Sequence, residues 1–141
     1  MSISPSEKVL VSIEDGIAIV TINNSAANTW DLESLPALEA VVNELNGMTN
    51  VRALVITGQG EKFFSAGADL NQFASGDPVA AGAIGDAFGA AFETLADYRG
   101  VSIAAINGYA MGGGLEVALA CDIRIAAVSY THLRAHETQR Y

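Results

Sequence analysis

The chain has 141 residues, half of them apolar, and carries sixteen carboxylates against seven Lys and Arg for a formal net charge of −9. That is the length of one ordinary domain with enough apolar content for a core. Its acidity excludes nucleic acid and anionic membrane as expected partners, because both need a positive field. The opening MSISPSEKVL lacks the basic start and apolar core of a signal peptide, and the single cysteine, Cys121, allows no intrachain disulfide. A reducing, cytoplasmic setting is expected.

KVLVSIED and GIAIVTIN are expected to be two short strands joined at Glu14-Asp15-Gly16, a Gly-punctuated hairpin. Residues 23–28 are polar and irregular. Asp31 can cap a helix running to about Met48, with Leu32, Leu35, Leu38, Val41, Val42 and Leu45 at helical spacing. RALVITG reads as a fully buried strand of the parallel kind. A Gly-rich loop, GQGEKFFSAGADL, follows it. Residues 78–98 form an Ala/Gly-rich helix with Ile84, Phe88, Phe92 and Leu95 on one face. VSIAAIN is a further buried strand, GGGLEVALAC a short helix and DIRIAA a third buried strand. Strands and helices alternate, so the fold class is α/β. The longest apolar run, residues 101–121, is broken by Asn107, Glu116 and glycines and does not read as a membrane span.

Both histidines, His132 and His136, fall in the last stretch, VSYTHLRAHETQRY, which has no apolar periodicity. VSYTHLRAHET resembles the translation of a transposase sequencing adapter, so residues 128–141 are expected to be a foreign or disordered tail on a domain portion spanning 1–127. Without histidine, residues 1–127 cannot supply Ser-His-Asp or Cys-His chemistry or a His-based zinc site. Carboxylates and backbone N–H groups remain.

Two loops stand out. In GYAMGGGLEVALACD a lone acid, Glu116, sits in an otherwise apolar helix that looks buried all round. Such a carboxylate is costly unless paired, and desolvation raises its pKa. It is a structural cap or a functional group at about even weight. The run Gly112-Gly113-Gly114 at the helix start offers unpaired N–H donors that another molecule can approach closely. It is neither a phosphate loop nor a dinucleotide fingerprint. SAGADL, Ser65 to Leu70, likewise follows a buried strand, so Ala68 and Asp69 are expected to present free N–H groups, while an N-cap role is the plainer reading of Asp69. Lys62 reads as an ordinary surface lysine.

Together, KFFSAGADL and INGYAMGGGLEVALACDIRIAA resemble the crotonase superfamily, most closely its enoyl-CoA hydratase branch. The likeness covers residues 8–127. It implies a crotonase-like ββα spiral, here truncated, in which the N–H groups of Ala68 and Gly113 hold the thioester oxygen of an acyl-CoA. It also implies that the Ala66 carbonyl meets the adenine, that Asp69, Leu70 and Asn71 line the thioester pocket, and that residues 77–99 line part of the acyl pocket. Glu116 fills the position of a catalytic glutamate. The implied substrate is an enoyl-CoA thioester, with CoA part of the substrate and no separate cofactor or metal. The implied assembly is a homo-trimer or hexamer. The family's second glutamate would fall at His136, where the pattern is absent, and the family's C-terminal helical region is also missing. The chain therefore resembles the first half of a hydratase. An enoyl-CoA isomerase and a non-catalytic acyl-CoA-binding fragment are the alternatives. Fatty-acid, amino-acid and aromatic degradation all fit as pathways.

Overall fold

A computed structural model describes residues 2–127. The expected tail, with His132 and His136, lies outside the described residues. Strands β1 (Val9–Glu14) and β2 (Ile17–Ile22) pair antiparallel, Glu14 opposite Ile17. The two residues between them, Asp15 and Gly16, have φ of 54° and 80°. Positive φ at both positions is what a two-residue hairpin loop needs to match strand twist, and Asp-Gly is a favoured pair for it.

Helix α1 (Ser34–Asn46) follows, then β3 (Ala53–Gly58), β4 (Phe63–Ser65), a short 3-10 turn at Leu70–Phe73, and helix α2 (Pro78–Ala96). Strands β5 (Val101–Ile106) and β6 (Tyr109–Ala110), helix α3 (Gly113–Leu119) and β7 (Ile123–Ala126) complete the order. The main sheet runs β1-β2-β3-β5-β7, and every pairing after the hairpin is parallel. Strands β4 and β6 form a second, two-stranded parallel sheet. The chain therefore repeats a strand-strand-helix unit, β3-β4-α2 and then β5-β6-α3. The expected ββα pattern is present.

The core lies under α1 and α2. Val20, Ile22, Leu54 and Ile56 from the sheet meet Leu35, Leu38, Leu45 and Leu95 from the helices, with Trp30 and Phe64 closing one end. Only one face of the sheet is buried. Leu54, Ile56 and Gly58 of β3 are buried while Ala53, Val55 and Thr57 are half-buried, because no helix covers the other face among the described residues. β7 departs further: Ile123 and Ile125 are 46% and 60% exposed. RALVITG and DIRIAA are thus strands as expected, but not fully buried ones. Helix α2, at 19 residues and a mean hydropathy of 1.2, is long and apolar enough by composition to cross a bilayer. Here its apolar residues instead pack on α1 and line a cavity.

Helix α1 starts three residues after Asp31, whose side chain nonetheless caps it. The Asp31 carboxylate accepts the Glu33 and Ser34 N–H groups at 2.9 and 2.8 Å, and Ser34 Oγ accepts the Asp31 N–H in return. Its other oxygen accepts from Lys8 Nζ at 2.6 Å. Burial pushes the Asp31 carboxyl up, but the Lys8 ammonium and the two N–H groups outweigh it and hold the carboxyl below the usual range. A depressed carboxyl contributes stability that is present above the unfolded-state value, near 4, and lost as pH falls through the folded value. Asp31→Ala is expected to cost about 2 kcal/mol, the upper end for a lost cap, because the same group also holds Lys8. Urea midpoints across about pH 3–7 check this: the deficit should shrink toward about pH 3, as the carboxylate begins to protonate in the folded state. A deficit constant over that range would rule out the ionised cap.

Tyr98 is buried, and its hydroxyl finds no hydrogen-bond partner among the described residues. Burial pushes its pKa up. An unsatisfied buried hydroxyl costs about 1–3 kcal/mol, so Tyr98→Phe is expected to stabilise the fold by about 1 kcal/mol. A lowered urea midpoint would show that the hydroxyl has a partner after all.

Candidate active site

The parallel pairing of β4 with β6, Phe63 opposite Tyr109 and Ser65 near Ala110, lays the two glycine loops side by side. The Ser65 carbonyl accepts the Met111 N–H at 3.0 Å, and the Gly67 N–H donates to Ser65 Oγ at 3.1 Å. The loops then touch backbone to backbone. Gly67 has a φ of 99°, and a methyl group placed there would lie 2.8 Å from the Met111 oxygen and 3.0 Å from the Gly113 nitrogen. A methyl at Gly114 would strike the Ser65 carbonyl. Glycine is required at both positions by contact, and at Gly67 by conformation as well.

Trp30 fixes the first loop from the other side. Its N–H donates to the Gly67 carbonyl at 2.8 Å and its carbonyl accepts the Asp69 N–H at 2.9 Å, an isolated parallel bridge centred on Ala68. Successive N–H groups alternate in direction along extended backbone, so the Ala68 N–H points away from Trp30. Neither it nor the Gly113 N–H, at the first position of α3, donates a hydrogen bond among the described residues. The expected free N–H of Asp69 is corrected: Trp30 takes it. Asp69 is instead the cap of the 3-10 turn, its side chain accepting the Asn71 N–H at 3.0 Å.

Ala68, Gly113 and Glu116 all line one open cavity of about 640 Å³. Its facing wall is α2, which presents Phe88, Gly89, Phe92 and Glu93 along with Gly85 and Ala96. Ala66, Asp69, Leu70 and Asn71 are not on its wall. The Ala66 N–H is taken by the Ala27 carbonyl, and Leu70 is 80% exposed. Three of the expected site residues are therefore brought together and four are not. Part of the segment 77–99 expected at the acyl pocket does line the cavity.

The burial expected for Glu116 is absent. α3 buries Gly114, Val117 and Ala118, while Leu115, Glu116 and Leu119 are exposed, because no described element packs on that side. Glu116 keeps its place in the first helical turn and lines the same cavity as Gly113. Cys121 offers no rival nucleophile: burial pushes its thiol up to about 11, and Sγ donates to the Val117 carbonyl. Lys62 is a surface residue with its ammonium 5.5 Å from the centre of the Phe63 ring.

Two features go beyond the sequence reading. Glu93 puts a second carboxylate on the cavity wall, signalled only by its place four residues after Gly89 and one after Phe92. An aromatic row also runs from the cavity wall to the buried Trp30. Trp30 and Phe92 have ring centroids 6.1 Å apart at 76°, and Phe92 and Phe88 5.3 Å apart at 71°.

The arrangement sets two unengaged backbone donors and two carboxylates, Glu116 and Glu93, on a largely apolar cleft, a layout suited to stabilising negative charge on an oxygen while moving a proton nearby. Residues 12–137 match the family model described as enoyl-CoA hydratase/isomerase. The chain is 37% identical over 120 residues to a short-chain-enoyl-CoA hydratase of Clostridium acetobutylicum, covering 84% of this chain and 46% of that one. It is 34% identical to a crotonyl-CoA hydratase of Syntrophomonas wolfei, covering 86% and 47%. Among solved structures, Pseudomonas aeruginosa DspI superposes with a TM-score of 0.85 at 60% identity, covering 86% of this chain and 50% of that one. An enoyl-CoA hydratase from Bacillus anthracis superposes with a TM-score of 0.84 at 34% identity, covering 87% and 48%. The chain spans about half the length of the relatives it matches.

Proposed function

This chain belongs to the enoyl-CoA hydratase/isomerase family, and on that premise we propose that it carries the oxyanion site and one acid–base group of an enoyl-CoA hydratase. The observation that carries the reading is the meeting of the Ala68 N–H, the Gly113 N–H and Glu116 on one cavity. In the proposed reaction the thioester oxygen of an enoyl-CoA accepts from both donors. Water adds at the β-carbon while negative charge builds on that oxygen as the enolate forms. Each preorganised donor is worth about 2.7–4 kcal/mol in such a step. Glu116 takes the proton from the attacking water and returns it to the α-carbon as the enolate collapses, so that the hydroxyl and one hydrogen of the water end on the product and the carboxylate is regenerated.

The wall of Phe88, Gly89 and Phe92 suits the apolar acyl part of the substrate, and CoA enters as part of that substrate. Ala66, Asp69, Leu70 and Asn71 remain proposed contacts of the adenine and thioester. Assembly as a trimer or hexamer, a place in β-oxidation and a cytoplasmic setting belong to the same proposal.

The test is to mix the protein with a short enoyl-CoA and follow loss of the conjugated thioester absorbance, alongside binding of a non-hydrating dienoyl-CoA. Turnover supports the hydratase. A red-shifted bound dienoyl-CoA without turnover makes the chain an acyl-CoA-binding fragment. The absence of both turnover and a red-shifted bound ligand would overturn the assignment of the cavity.

A further inference from the structure

We infer that the aromatic row Trp30–Phe92–Phe88 sets the spacing of the two oxyanion donors, which makes these three rings positioning residues; the inference rests on the reading of the cavity proposed above. The donors belong to different loops, which meet directly where the Ser65 carbonyl accepts the Met111 N–H, where Gly114 lies on that carbonyl, and where Gly67 lies against Met111 and Gly113. The aromatic row is a second connection. At one end the Trp30 main chain grips both neighbours of Ala68, through the Gly67 carbonyl and the Asp69 N–H. At the other, the Phe88 ring lies on Gly113, where a methyl group would come 2.6 Å from Cε1 and 3.1 Å from Cζ. Between them stand two steep edge contacts, at 76° and 71°.

Edge-to-face rings favour a narrow range of geometry, and a close-packed interior transmits displacement instead of absorbing it. The direct backbone contacts and the aromatic row join the same two loops by separate routes and close a ring of contacts, so neither donor can drift without moving the other. Trp30 bears this out in its own surroundings. It is fully buried, yet its indole N–H finds no hydrogen-bond acceptor among the described residues. A buried indole usually finds such a partner. Among the described residues it is packing on Phe92 that orients this ring.

The experiment uses the band position of a bound dienoyl-CoA, which moves red in proportion to polarisation of its carbonyl. Trp30 does not line the cavity, so its substitution leaves the ligand contacts in place. Trp30→Leu and Phe88→Leu should lose most of the wild-type red shift, with affinity for free CoA unchanged. Trp30→Phe and Phe88→Tyr, which keep a ring, should retain it. Phe88 lines the cavity, so its variants only corroborate the Trp30 pair; circular dichroism confirms the fold of each variant, and if Trp30→Leu does not fold, Trp30→Met takes its place. Leucine variants showing the full wild-type shift would overturn the aromatic row while leaving the oxyanion reading intact. A wild-type protein that binds the ligand with no red shift would overturn that reading, and the row with it.

Discussion

Glu116→Gln is expected to lower hydration of a short enoyl-CoA by about 10³-fold, the middle of the range for a positioned acid–base group. The amide has nearly the same shape and volume, so packing of α3, which buries Val117 and Ala118 and leaves Glu116 on the cavity, should not change. The two backbone donors are also untouched. Binding and polarisation of a dienoyl-CoA should therefore match wild type, so that the loss falls on kcat and not on affinity. Steady-state rates with a parallel ligand titration separate the two. Near-normal turnover would remove Glu116 from the chemistry and turn attention to Glu93, the other carboxylate on the cavity.

Gly67→Ala should do the reverse, abolishing polarisation without deleting any functional group. The residue sits at a φ of 99°, where an L side chain is strained, at a cost on the order of 1–3 kcal/mol. The added methyl would meet the Met111 oxygen at 2.8 Å and the Gly113 nitrogen at 3.0 Å, both backbone atoms that cannot rotate aside. Overpacking of this kind costs roughly another 1–3 kcal/mol. The strands holding the loops, β4 and β6, are too short to resist, at three and two residues. The loops should part, carrying the Gly113 N–H away from Ala68. The expected result is a fall of about 3 kcal/mol in unfolding free energy, combining those two terms, with loss of the dienoyl-CoA red shift. A variant that keeps both stability and red shift would show that the backbone contact at Gly67 is not what sets the donors.

Much of this is legible in the residues. The order of the main-sheet strands and the helices follows from short apolar runs broken by Gly and Asn, and the hairpin from Asp15-Gly16, but β4 falls in a segment that reads as loop and β6, at two residues, is too short to leave a pattern. The two glycine loops stand out because glycine recurs where a strand ends and a lone acid follows. Pairings between distant residues are harder to read. Nothing near Asp69 announces that Trp30, on a separate segment, will take its N–H. Apolar composition is a poor guide to which surface is covered. α3 and β7 carry enough Leu, Val and Ile to be buried all round, yet Leu119, Ile123 and Ile125 are exposed. The pattern says that such surface suits a partner and is silent about which one. The cavity face of α2 is obscured for a related reason: Phe88 and Phe92 at helical spacing look the same whether they pack into a core or line a cleft.

The sheet order also sets a sequence of events in time. The β1–β2 hairpin closes over two residues and can form within roughly 1–10 μs. Every later pairing is parallel, matching Ile19 with Val55, Val55 with Ile103 and Ile103 with Ile123, and each waits for an intervening crossover to be placed. Such non-local parallel pairings are slow to form. Asn107, whose side chain accepts from the Gly58 N–H and donates to the Gly58 and Gly60 carbonyls, can make those bonds only once β5 has docked beside β3. Amide protection should therefore appear first in the hairpin and last at Gly58. The oxyanion donors, which depend on β4 meeting β6 after that docking, would be among the final features to assemble.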